Sequence, residues 1–182
     1  MSKIEVNEIA ARSGTNISIP SSSVLHAPGH VIQTVSGETA TSVSITSTSF
    51  SDTHLTATIT PKFASSKIVI WVNQSVYIYR TNYSPQDGVM GGIRLMRDST
   101  VLNQGMSDGS GGLQPYLTVG GATNTYFSFW YNMNFVDSPN TTSATVYKTQ
   151  GELRNNSNQT IVFQASSSTT NKSTIILQEI AQ

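Results

Sequence analysis

The side chains best suited to chemistry in this chain are three histidines, His26, His30 and His54, and the acids of its central region, Asp87, Asp98, Asp108 and Asp137. Imidazole is a common ligand for zinc, nickel and iron, so copies of one histidine gathered on a threefold axis could hold a metal. Partly buried or hinge histidines are the plainer reading, and neither a metal nor a cofactor is expected. Glycosidases need two carboxylates facing one cleft, whereas Asp87-Gly88 and Asp108-Gly109 have turn chemistry. The stretch Asp108-Gly109-Ser110-Gly111-Gly112 has the small residues of a calcium loop but lacks the second and third carboxylates that a hard cation requires. A nucleophilic Ser or Thr needs a base and an orienting group beside it, and the abundant hydroxyls here read as the surface of strands. With no cysteine there is no thiolate, disulfide or cysteine nucleophile. No catalytic residue is expected, and the chain reads as a non-enzyme.

Aromatic side chains are the remaining candidates. Trp71, Tyr77, Tyr79, Tyr83, Tyr116 and Trp130 are rigid and amphipathic, able either to stack on a host-surface glycan or to fill a subunit interface. Interface is the reading adopted. Asn-x-Ser/Thr strings such as Asn140-Thr141-Thr142 follow from a composition rich in Ser, Thr and Asn.

These side chains are carried by strands. In Ile68–Tyr79, strict alternation puts Ile68, Ile70, Val72, Val76 and Ile78 on one face, and Val69, Trp71, Asn73, Ser75, Tyr77 and Tyr79 on the other. The first set belongs to a core; the second is too aromatic for plain solvent and meets another subunit or sheet. In Tyr126–Phe135 the same rule groups Phe127, Phe129, Tyr131, Met133 and Phe135 against Tyr126, Ser128, Trp130, Asn132 and Asn134. Seven further strands are expected at 31–35, 42–49, 54–60, 92–98, 142–150, 159–166 and 174–181, with no convincing helical window between them. That spacing is the pattern of an all-β sandwich or barrel, and a jelly-roll-like antiparallel β-sandwich over residues 31–182 is the first choice. The Gly-, Asp-, Asn- and Pro-rich loops 81–91 and 106–121 are the expected variable surface.

Residues 1–30 differ from the rest. Ile4, Val6 and Ile9 precede a turn at Arg12-Ser13-Gly14-Thr15, and Ile17 and Ile19 follow it before Pro20, which predicts an extended N-terminal β arm. A helix over Lys3–Arg12 is the competing reading. A two-stranded ribbon is marginal alone in water, so the arm needs a partner surface. Ser21-Ser22-Ser23 and Pro28-Gly29 form a hinge that would let it lie on a neighbouring subunit.

Only 11% of the 182 residues are charged, against about 25% in ordinary domains, and ten acids balance ten bases. No basic cluster is present to attract nucleic acid, and no apolar run is long enough to insert in a membrane. Low charge suits a symmetric interface, where like charges repeated around an axis would repel.

The opening Lys3-Ile4-Glu5-Val6-Asn7-Glu8-Ile9, with Arg12–Pro20 and Ala27-Pro28-Gly29-His30-Val31-Ile32-Gln33, resembles tail-fibre-like virion proteins of tailed bacteriophages. Ile59-Thr60-Pro61 through Ser65-Ser66-Lys67-Ile68, Gly92-Ile93-Arg94-Leu95-Met96-Arg97-Asp98 and Ile175-Ile176-Leu177-Gln178-Glu179-Ile180 are similar to recurrent phrases of that group. The resemblance implies a β-rich structural protein of the virion, made in the host cytoplasm, usually homotrimeric, contacting other virion proteins and serving host attachment. Long tail fibres carry an extended shaft, and here only a short arm precedes the sandwich. That leaves open a short fibre, a baseplate part or a head decoration; a short fibre is the reading adopted, with capsid decoration, cementing or fibre-like on the head, as the alternative.

Overall fold

The structure, a computed structural model, describes residues 23–25, 27–81, 91–105, 124–153, 158–165 and 171–182. The arm residues Ile4, Val6, Ile9, Ile17 and Ile19, together with His26, Tyr83, Asp87, Asp108 and Tyr116, lie outside them. Ten strands form the described fold: β1 (Val31–Thr39), β2 (Val43–Ile45), β3 (Ser51–Ile59), β4 (Lys67–Thr81), β5 (Gly91–Arg97), β6 (Thr100–Gly105), β7 (Asn124–Asp137), β8 (Thr145–Leu153), β9 (Gln159–Phe163) and β10 (Ser173–Ile180). Among the described residues there is no helix, as expected for a chain whose apolar residues recur every second position. The one strand not foreseen is β6. It is a short hairpin partner of β5 across a turn at Asp98-Ser99, where Asp98 adopts a left-handed φ of 51°; only Val101 and Leu102 give it apolar character.

All pairings are antiparallel and fall into two sheets. The smaller has the order β3-β8-β5-β6. In the larger, β4 pairs along its whole length with β7 on one side. On its other side β10 covers residues 67–73 and β9 covers 76–80. β1 continues outward from β10 and β2 from β9. Thus β9 and β10 form one interrupted rail, as do β1 and β2, and the larger sheet is β1/β2, β9/β10, β4, β7. Counting each rail once, the two sheets interleave as 1-8-3-6 and 2-7-4-5. This is the double Greek key of a jelly roll, and the expected sandwich is observed.

The core follows from the alternation. Ile68, Ile70, Val72, Val76 and Ile78 of β4 all point between the sheets and are buried. They divide into two apolar clusters, one built on Leu55, Ile59, Ile70, Tyr147 and Leu177, the other on Ile45, Ile78, Ile93, Leu153 and Phe163. Between them, at the level where both rails break, lies a layer of buried polar side chains: Thr53, Gln74, Thr149, Gln164 and Ser173. Gln74 Nε2 donates to Thr53 Oγ1 at 2.8 Å, and Ser75 N donates to Ser173 Oγ at 3.0 Å. The Gln164 amide finds all its partners in one orientation, its nitrogen donating to the Thr41 and Thr53 carbonyls and its oxygen accepting from Ser173 Oγ and Gln74 Nε2. Backbone groups released by the breaks are satisfied by these side chains, which is why burying them is tolerable.

Close approach of the sheets depends on two glycines. A Cβ at Gly37 would clash with the Thr56 carbonyl, and one at Gly151 with the Phe163 ring. Two buried acids fasten the sandwich. Asp137, at the end of β7, accepts Arg97 Nη1 of β5 at 2.8 Å and the Tyr147 hydroxyl of β8 at 2.7 Å, tying the larger sheet to the smaller. Glu179, fully buried on β10, accepts from Lys62 N at 2.7 Å, Phe63 N at 3.2 Å, Ser66 Oγ at 2.7 Å and Gln33 Nε2 at 2.6 Å, and so fixes the turn that leads into β4.

Candidate interaction surface

Because β4 aims its aliphatic residues inward, its alternate residues come out on the far side of the larger sheet, and the register assembles the neighbours of each. Trp71 lies between Ile176 of β10 and Asn134 of β7. Tyr79 faces Tyr126, Ser75 faces Trp130, and Val69 faces Val136. Tyr77 lies between Val162 and Ser128. Four of the six aromatics singled out from the sequence, Trp71, Tyr77, Tyr79 and Trp130, therefore share one continuous face.

Large apolar residues stand open on this face: Tyr126 is 55% exposed, Val136 55%, Trp130 49%, Trp71 37% and Ile176 37%. Tyr77, Tyr79 and Tyr126 form a ring cluster with centroids 5.5 to 6.3 Å apart. Burial and the neighbouring Tyr126 and Tyr79 push the Tyr77 hydroxyl above its ordinary value. The positions between the aromatics are Asn73, Ser75, Ser128, Asn132, Asn134 and Gln178. On the described strands, charge reaches this face only at its margins, as Glu38 paired with Lys172 and as Lys67 at the start of β4.

Where the β9/β10 rail breaks, a shallow hollow of about 570 Å³ opens on the same face. Ser75, Tyr77, Ser128, Trp130, Val162 and Asn171 line it. Its chemistry is a pair of aromatic walls with neutral hydrogen-bonding groups between them. This arrangement suits stacking against an uncharged polar ring, or insertion of a neighbour's side chain.

The candidates for chemistry are dispersed. His30 and His54 are exposed, and His54 sits at a left-handed φ of 65° in the irregular start of β3. Among the described residues no group of three or more His, Cys, Asp or Glu could hold a metal. Asp98 Oδ1 accepts from Val146 N at 3.0 Å and braces its hairpin. Asp137 belongs to the clamp between the sheets, where burial and then the hydrogen bond to Asp137 push the Tyr147 hydroxyl far above the usual phenol value. One Gly-x-Ser-x-Gly string, Gly105-Met106-Ser107-Asp108-Gly109, escaped the reading of the hydroxyls as strand surface. Its first residue closes β6 and the rest lies outside the described residues.

Tyr126, Val136 and Ile176 were not among the sequence candidates. Alternation within each strand already gives their side, but only the register between strands shows that they extend one patch.

No protein-family model matches the chain, and no protein of curated function matches it in sequence. Among solved structures, dimeric latent PorU from Porphyromonas gingivalis is similar over 87% of this chain and 14% of its own, at 9% identity and a TM-score of 0.32. The VP2 subviral particle of infectious bursal disease virus is similar over 98% of this chain and 43% of its own, at 12% identity and a TM-score of 0.27. The chain thus spans less than half the length of either.

Proposed function

We propose that this protein is a non-catalytic structural component of a bacteriophage virion, a short tail-fibre-like part that docks through residues 1–30 and presents its sandwich for contact. The observation that carries the reading is the uncharged aromatic outer face of the larger sheet. A monomeric domain seldom leaves so many large apolar side chains open together. Interface cores are depleted in charge and enriched in Tyr and Trp, and this face has both properties. Each partner in the homotrimer that we propose would bury it against a copy or against another virion protein. Among the described acids, Asp52, Asp98, Asp137 and Glu179 are engaged in holding the fold.

The hollow beside Trp130 and Tyr77 supports a second use of the same face, contact with a host-surface glycan, since aromatic walls and neutral polar groups suit an uncharged sugar.

Deleting residues 1–20 tests the docking arm. The truncated protein should remain a folded sandwich by circular dichroism and thermal melting, yet be missing from purified particles. Normal incorporation would remove the arm from the account.

A further inference from the structure

A sheet edge presents unpaired N–H and C=O groups that can template another strand, and proteins blunt such edges with short strands, charges, prolines and bulges. Most edges of this sandwich are blunted in that way. β1 has an irregular register at Val31/Gln33 and carries Glu38; β2 has three residues. β3 is interrupted between Asp52 and Thr56. β6 has six residues and a shift in its pairing with β5.

β7 has none of these devices. Its 14 residues pair with β4 in unbroken register, and its other side pairs with no described strand. The strand contains no proline, and its first charged residue is Asp137 at the very end, already held by Arg97. Neither face of β7 is sealed. Tyr126, Trp130 and Val136 are exposed outside, while Phe127, Phe129, Tyr131 and Phe135 are only half-buried inside, although the inward residues of β4 beside them are fully buried.

We infer that the edge of β7, which no described strand covers, pairs antiparallel with β7 of a second copy, joining the two larger sheets into one. This rests on the reading of the protein as an assembling component and adds where two copies meet. An identical strand is the occupant because the edge is uncharged: two copies abut without repulsion, whereas a charged partner strand would find no counter-charge along it. In the register centred on Trp130, the indoles of the two copies meet, Ser128 faces Asn132 and Tyr126 faces Asn134. On the inner side Phe129 faces Tyr131 and Phe127 faces Met133, which closes the half-buried aromatics. Such a contact is two-fold, so it joins two of the proposed trimers into an assembly of six copies.

Amide hydrogen exchange on the full-length protein, read with its mass in solution over a dilution series, tests this. At high concentration the mass corresponds to an even number of copies and all β7 amides are protected. On dilution to monomer, about every second β7 amide loses roughly tenfold or more of its protection. The exposed-position variant Asn132→Lys lowers the association constant at least tenfold while the melting temperature of the monomer holds. An odd number of copies, or an assembled protein whose alternate β7 amides still exchange fast, overturns the strand pairing while leaving assembly through the aromatic face intact. A protein monomeric at every concentration overturns the pairing as well, and particle incorporation then judges the assembly reading separately.

Discussion

The two outer faces of the sandwich arise from the same alternation and have opposite chemistry. On the smaller sheet, Asp52 accepts from Lys148 Nζ at 2.9 Å and from Gln150 Nε2 at 2.6 Å. Arg94 donates to Gln150 at 2.7 and 2.9 Å and lies 4.1 Å over the Phe50 ring. Charges of opposite sign lie side by side on this face, which also carries Glu152 and Met96 in buried positions. The larger sheet keeps Glu179 and Asp137 turned inward, carries Glu38 only at its margin, and offers Trp, Tyr, Val, Asn and Ser outward. Sheet formation requires neither choice, and under the proposed role the difference reflects what each face meets, with the larger sheet's outer face turned toward another surface.

The comparison presumes one rigid body carrying both faces, and Asp137→Ala breaks that premise most severely. It leaves the Arg97 guanidinium and the Tyr147 hydroxyl without their acceptor in a largely buried site. Stability measured by denaturant unfolding should fall by about 3 kcal/mol. A smaller effect is expected for Trp130→Ser on the aromatic face. Self-association should weaken by about tenfold or more, as for a central interface aromatic, while folding stability shifts by less than about 1 kcal/mol. The order reverses if Trp130 is packing its own sheet and not a partner.

On the smaller sheet's outer face, Lys148→Ala should change stability by under about 1 kcal/mol, because a partly exposed ion pair is screened, and should leave association untouched. The smallest effect is in pH. Partial burial alone would raise the Asp52 carboxyl, but the Lys148 and Gln150 hydrogen bonds outweigh it and hold it below its usual value. The pairing therefore stabilises the fold above the ordinary carboxylate range and is lost as pH falls through the lowered value. In Asp52→Asn that part of the acid dependence should vanish from the stability profile.

Much of the fold was legible because alternation is a local signal. β4 and β7, with their inward and outward sets, could be read residue by residue, and a jelly-roll sandwich followed from the number and spacing of strands. β6 was not legible, since two apolar residues in six give too weak a pattern. The polar layer was hidden for a different reason. Gln74 occupies a core position in β4, and the acceptors for its amide nitrogen, on Thr53 and Gln164, are far away along the chain. The interaction face was half legible: Trp71, Tyr77, Tyr79 and Trp130 announce themselves within their strands, but their union with Tyr126, Val136 and Ile176 depends on register across β10, β4 and β7.

The central claim is that the larger sheet's outer face is the contact surface. Light scattering on three proteins tests it most directly: the wild type, a double variant Trp71→Lys with Trp130→Lys, and a matched pair on the opposite face, Thr56→Lys with Thr58→Lys. The account predicts that the wild type and the Thr variant form the same assembly, while the Trp variant is a folded monomer. Equal assembly by all three, or equal loss in both variants, would contradict it.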